Sequence, residues 1–205
     1  MTTAAPPAGL RERKKSRTRQ AIVRHAVAMF ERDGFDATTV EGIAEAVECS
    51  ERTVYRYFPA KEDIVFFDLP ELLEHLTGLL AEADRTGDPL DTVIEALRAC
   101  SRTQTGADPE LTRARIGLWF TDPTLRARYL ELFEPWERVI AEFLARRTTG
   151  LPADEDQDAQ VTAAALLVAM RVAYRNEVLR GGAFDDYLDR AFGLLTAGLR
   201  SGVRR

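Results

Sequence analysis

Cysteine and histidine are scarce in this 205-residue chain, two of each, and that scarcity excludes several kinds of chemistry. Cys49 and Cys100 stand far apart with no Cys-x-x-Cys spacing, which fits a reducing cytoplasm and offers no thiol redox motif. His25 and His75 are too few for a zinc site or a histidine-centred catalytic apparatus. Long apolar runs are also missing: the longest, Ala163 to Met170, has eight residues, less than half of a membrane span. The opening MTTAAPPAGL has no apolar segment of the signal-peptide kind, so a cytoplasmic location and no membrane association are expected. No Gly-rich loop follows a strand pattern and no nucleophile is paired with a base, so neither an enzyme nor a cofactor or metal is expected. With 45% hydrophobic residues, 13 glycines and 9 prolines, the chain is neither collagen-like nor disordered, and it can bury a core.

Charge is present in quantity and is unevenly placed. The net charge is -5, yet residues 11–19 (RERKKSRTR) hold six basic side chains against Glu12 alone. Residues 1–58 sum to +2 and the remainder to -7. A basic front on an acidic body suits an N-terminal segment that meets a polyanion, although a solvated basic helix end has the same composition.

Helical periodicity recurs throughout and strand-like alternation does not, so an all-α fold of about nine helices is expected. The first helix spans about Arg11 to Asp33, with Ile22, Val23, Ala26, Val27 and Phe30 on its buried face and Gly34 as its stop. Thr38 and Glu41 read as a capping box for a short second helix carrying Val40, Ile43, Ala44 and Val47. Ser50 caps a third, with Val54 and Phe58 inward; Pro59 closes it and a fourth starts near Lys61. Asp88-Pro89, Asp108-Pro109 and Asp122-Pro123 are helix starts, and Asp68 with Glu71 is a weaker one. Helices follow near 69–84, 89–104, 109–120, 123–147 (kinked by Pro135), 157–180 and 184–200, with a solvated loop at 151–158.

Two short helices joined by a tight turn after a longer basic helix are the parts of a helix-turn-helix. The second must lie in a major groove while its inward face stays anchored, so Val54 and Phe58 hold it and Glu51, Arg52, Thr53, Tyr55, Arg56 and Tyr57 face outward. A small helical hairpin on a bundle surface shares this pattern.

The stretch GFDATTVEGIAEAVECSERTVYRYFPAKEDIV closely resembles the DNA-binding head of the TetR family of bacterial transcriptional regulators. The resemblance extends over about Arg17 to Val65, through Phe30, Gly34, Phe35, Thr38-Thr39-Val40, Ile43-Ala44, Ser50, Tyr55-Arg56-Tyr57-Phe58 and Lys61-Glu62. It implies phosphate contacts from Thr39, Tyr55, Tyr57 and Lys61 and base contacts chiefly from Arg52 and Thr53. Ser50, Arg56 and Arg17 complete the expected DNA-binding set. Lys61 also stands at a helix start whose amides form an anion site. In two places the chain departs from the family pattern: Glu48 replaces the usual turn glycine, costing on the order of 1 kcal/mol if left-handed, and Ala60 replaces the usual cap.

The sequence divides into a tail (1–10), a head (11–60) and a body (61–205) that the resemblance makes a dimerisation and effector domain. VTAAALLVAMRVAY, Val161 to Tyr174, is apolar almost all round, as a helix buried on two sides must be, and Leu188, Phe192, Leu195 and Leu199 add a stripe. A homodimer on a palindromic double-stranded DNA operator is therefore expected; an internal core helix in a monomer is the alternative. Candidate effector-lining residues are His75, Trp119, Phe120, Tyr129, Phe133, Trp136, Met170 and Tyr174, a set that also suits a plain core. Arg171 interrupts the apolar helix and needs either an internal acid or an anionic ligand group. The segment LWFTDPTLRARYLELFEPWERVIAEFLARRT is similar to the C-terminal domain of mycofactocin-type TetR regulators, which implies a hydrophobic or anionic amphipathic effector such as an acyl-CoA thioester. A DNA-binding regulator or architectural protein that needs no ligand is the competing function.

Overall fold

The structure, a computed structural model, describes residues 10–84, 86–105 and 108–202, with side chains over 15–84, 86–104 and 108–198. The expected tail lies outside the described residues except for Leu10. The described residues form nine α-helices and no strand. They divide into two compact units, one ending at Phe67 and the other beginning at Asp68, so the boundary falls beyond residue 60.

The first unit holds α1 (Leu10–Asp33), α2 (Val40–Ala46), α3 (Glu51–Tyr57) and a single 3-10 turn at Glu62–Ile64. Its core is the expected α1 face, Ile22, Val23, Ala26, Val27 and Phe30, closed by Ile43, Val54, Phe58 and Ile64. Gly34 ends α1 at φ +91, its N–H donating to the Phe30 carbonyl at 3.0 Å. The capping of α2 is shifted by one residue from the expected box. Thr39 is the N-cap, its hydroxyl accepting from the Gly42 N–H at 3.1 Å, while buried Thr38 donates to the Gly34 carbonyl at 2.9 Å and ties the end of α1 to the start of α2. Glu48 adopts φ +54 in the turn that leads to α3, the left-handed conformation anticipated for that position.

Beyond Pro59 the expected fourth helix shrinks to the 3-10 turn. The Ala60 N–H is taken by the Asp63 carboxylate at 3.0 Å, so an internal acid occupies the anion site read there, and the regular helix starts only at Leu69.

The second unit is a bundle of α4 (Leu69–Glu82), α5 (Pro89–Thr105), α6 (Pro109–Thr121), α7 (Pro123–Thr148), α8 (Gln157–Arg180) and α9 (Phe184–Gly202). Side chains of Asp88, Asp108, Asp122 and Asp156 accept from N–H groups two or three residues on, so each start signal works through a local hydrogen bond. Asp68 is different: it makes no capping bond to α4, because its carboxylate is engaged elsewhere. Helix α7 runs through Pro135 as one 26-residue element. Helix α8 packs on α6, α7 and α9, which makes it the axis of the bundle. No helix among the described residues is long and apolar enough to cross a membrane.

Candidate nucleic-acid interface and effector core

Helix α3 is held from both ends. The Ser50 hydroxyl accepts from the Thr53 N–H at 3.3 Å and lies 3.0 Å from the Thr53 hydroxyl, while Val54 and Phe58, 1% and 2% exposed, pin the inner face. This anchoring leaves Arg52, Tyr55 and Arg56 exposed, with Thr53 and Tyr57 half-buried. The Arg56 guanidinium lies 5.2 Å from the Tyr57 ring. Exposed Thr39 uses its oxygen as the α2 cap, which leaves its hydroxyl proton available to an outside acceptor. Arg17, with Lys15 and Arg56, borders a groove of about 1000 Å³ between α1 and the α2–α3 turn. Three cations against the single acid Glu48 on one groove set up a net positive field that favours a polyanion. Burial holds the Cys49 thiol above its ordinary value, with Arg56 opposing, so it stays protonated at neutral pH.

Two basic residues turn out to serve the head itself. The Lys61 ammonium donates to the Phe35 carbonyl at 2.6 Å and the Thr38 carbonyl at 2.8 Å, and lies 4.2 Å from the Phe35 ring centroid. Two of its three protons thus clasp the α1–α2 connection, leaving one for a phosphate. Arg19, within the basic run, donates to the Phe67 carbonyl and sits 5.1 Å and 6.0 Å from the rings of Phe67 and Phe58.

In the second unit the middle helices bring most of the candidate aromatics together. Ring centroids of Trp119 and Tyr129 are 5.3 Å apart, Tyr129 and Phe133 4.2 Å, Phe133 and Trp136 5.4 Å, and Trp119 and Tyr174 6.3 Å. Trp119, Phe133, Trp136, Met170 and Tyr174 surround a cavity of about 10 Å³, with Cys100, Ser101 and Gln104 from α5. That is room for about one water molecule. The Tyr174 hydroxyl donates to Gln104 Oε1 at 2.9 Å and lies 3.1 Å from the Ser101 hydroxyl, and burial pushes its pKa up. The amide nitrogen of Gln104 is buried with no hydrogen-bond partner among the described residues. The Cys100 thiol is raised to about 11 by burial, so it is an inert wall group.

Four candidates fall outside this cavity; Tyr129 is buried and packs on Trp119 and Phe133 but does not line it. His75 is on the exposed face of α4, because the inner positions of that helix are Leu72, Leu76 and Leu80. Phe120 is half-buried and does not line the cavity. Arg171 is half-buried and makes no hydrogen bond or ion pair with a described residue; its charge opposes the burial that raises the Tyr129 pKa, while Glu137 adds to it. Of the two partners expected for Arg171, an internal acid or an anionic ligand group, no acid pairs with it among the described residues.

The buried cation is another one, which the sequence pattern did not reveal. Arg115 on α6 is 1% exposed and donates to both carboxylate oxygens of Asp68, at 2.9 and 2.6 Å. Arg115 is one turn from Trp119, and Asp68 opens the unit just before α4. Only the partner's position could have marked the pair, since Arg115 alone reads as a surface charge and Asp68 as a helix start.

The apolar helix has two sides. Ala163, Leu166, Leu167, Met170, Ala173 and Tyr174 are buried, whereas Val161, Val168, Val172 and Leu179 are 45–62% exposed. At 100° per residue these four fall on one line about 27 Å long. On α9, Leu188 and Phe192 are buried in the chain's own core and Leu195 is half-buried; Leu194, 71% exposed, is the uncovered apolar residue there. The side chain of Leu199 lies outside the described residues.

A helix-turn-helix head on an all-helical body defines a DNA-binding transcriptional regulator. The chain belongs to the TetR family: residues 22–66 match the family described as bacterial regulatory proteins, tetR family, and residues 87–200 match the MftR C-terminal domain. It is 33% identical over 189 residues to the HTH-type transcriptional regulator TcmR of Streptomyces glaucescens, covering 90% of this chain and 83% of that one. It is 32% identical over 142 residues to MftR of Mycobacterium tuberculosis, named for mycofactocin biosynthesis, covering 69% and 71%. In fold it is similar to the TetR-family repressor FadR of Thermus thermophilus, solved with lauroyl-CoA, at TM-score 0.56 and 24% identity over 87% of this chain and 93% of that one. The fatty acid degradation regulator FadR of Bacillus halodurans gives 0.64 and 19% over 89% and 96%.

Proposed function

We propose that this regulator is a cytoplasmic homodimeric repressor that binds a palindromic operator and releases it when a small hydrophobic or amphipathic effector enters the second unit. The observation that carries the reading is α3: a capped, doubly pinned helix whose outward side chains are Arg52, Tyr55 and Arg56. Arg52 and Thr53 read base edges; Thr39, Ser50, Tyr55, Arg56, Tyr57, Arg17 and the remaining proton of Lys61 set the register on phosphates. The uncovered line of Val161, Val168, Val172 and Leu179 supports the dimer, which two-fold operators require. Its task is binding rather than catalysis, as for the regulators it resembles.

Binding selection from random oligonucleotides tests the DNA reading. Inverted repeats should emerge, with half-sites one helical turn or a multiple apart. Arg52→Ala should cost about 1–3 kcal/mol on the selected operator and relax preference at one base pair per half-site, while Arg17→Ala should weaken all DNA alike and lower the salt slope by about one ion. Selected sites without two-fold symmetry would sink the dimeric reading of the operator.

An effector must prefer the non-binding conformation, shifting α4 and with it the separation of the two heads. Unpaired Arg171 beside Tyr129 supports an anionic head group on that effector, and lauroyl-CoA on the Thermus FadR makes acyl-CoA thioesters the first class to try. Such a ligand should raise the melting temperature and weaken operator binding; Arg171→Met should blunt that response, and an intact response in titration would make Arg171 structural. The nearly filled aromatic core favours a second reading, a ligand-independent regulator. Operator titration in the presence of hydrophobic acyl thioesters separates the two.

A further inference from the structure

A second cleft, of about 390 Å³, lies between the end of α5, the start of α6 and the α8–α9 turn. Its volume is within the range of small-molecule sites. The floor is apolar or small and buried: Ser101, Thr112, Ile116 and Phe184. Ser101 also lines the aromatic cavity, and Phe184 stacks on Tyr174 with ring centroids 4.2 Å apart. The cleft and the aromatic core are therefore separated by one layer, the Tyr174–Phe184 pair with Ser101.

The rim carries Arg102 and Arg113 against Glu177 and Asp185. Arg113 donates to the main-chain carbonyl of Glu177 at 3.2 Å and forms no ion pair with either carboxylate. Neither the Glu177 nor the Asp185 carboxylate receives a hydrogen bond or ion pair from a described residue. Burial raises the Glu177 pKa, with Arg113 opposing and Asp185 adding to the shift, as expected of a partly desolvated acid short of donors.

We infer that this cleft is a ligand site of the second unit in its own right and takes the protonated amine of a small ligand whose apolar carbons lie against Phe184 and Ile116. The inference rests on the reading of the second unit as an effector domain. Glu177 accepts the ammonium, Asp185 adds charge at the rim, and Phe184 and Ile116 carry the adjoining carbons. The site is distinct from Arg171: Glu177 lies six residues further along α8, about 120° around the helix.

The test uses the full chain and three probes of equal size, 4-phenylbutylamine, 4-phenylbutanol and 4-phenylbutyrate, by calorimetry and melting temperature. The amine should bind about tenfold more tightly than the alcohol or the acid, the increment of one charge-assisted hydrogen bond. Glu177→Gln should erase that preference without lowering the melting temperature of the free protein, and Asp185→Asn, at an exposed position, should reduce it. Equal affinity for the three probes, preference for the acid, or an unchanged preference in Glu177→Gln overturns the cleft. Operator binding that responds to acyl thioesters but no amine binding overturns the cleft alone; amine binding in a chain that selects no operator supports the cleft and overturns the repressor.

Discussion

Replacing Val168 with Asp is expected to convert the protein to monomers that no longer bind an operator. Val168 lies in the middle of the uncovered line on α8, between Val161 and Val172, so in a two-fold dimer its side chain meets the same line on the partner. An aspartate there brings an unpaired charge into an apolar contact from each copy, costing several kcal/mol, which is enough to shift the association far toward monomer at micromolar concentration. Folding of the chain itself should change little, because the native side chain is 45% exposed within one copy. Sedimentation of the variant reads the result. A dimer that survives unchanged would remove α8 from the interface.

Arg115→Met should lower the melting temperature by on the order of 10 °C. The substitution leaves the Asp68 carboxylate, 15% exposed, without its bidentate partner. Breaking a buried pair by removing one member typically costs about 3–5 kcal/mol, chiefly through the charge left behind. Arg115→Met combined with Asp68→Asn should recover much of the loss, since the pair as a whole contributes far less than the penalty for splitting it. Calorimetric melting of the two variants and the native protein decides the matter; a single variant that melts with the native protein would show that Asp68 relaxes into water at no cost.

The sequence was most legible where structure is made within a few residues. Ser50 caps α3, and Asp108 and Asp122 cap α6 and α7, through bonds that span three positions, so a dipeptide or a four-residue motif was enough to place them. The 3.6-residue period placed Val54 and Phe58 inward, and by elimination put Arg52 and Arg56 outward. The Thr38 cap was misplaced by one residue because two adjacent threonines satisfy the same local pattern, and the backbone direction entering α2 selects between them. The aromatic cavity was read in part: periodicity along α6, α7 and α8 grouped Trp119, Phe133, Trp136, Met170 and Tyr174, but the set also included His75, Phe120, Tyr129 and Arg171 and omitted Ser101 and Gln104 from α5.

By itself, then, the sequence determined the all-helical class and the short α2–α3 pair, because caps, turns and apolar period are local properties of the chain, and its resemblance over residues 17–65 marked the family. The tertiary structure alone decided which charges are structural. Lys61 reaches carbonyls 23 and 26 residues away, Arg115 reaches Asp68 across 47, and Arg171, the cation that the apolar helix made conspicuous, pairs with no acid among the described residues. It also decided which half of α8 is covered. An ion pair or an uncovered face depends on which elements the bundle sets side by side, and no periodicity within one helix carries that information.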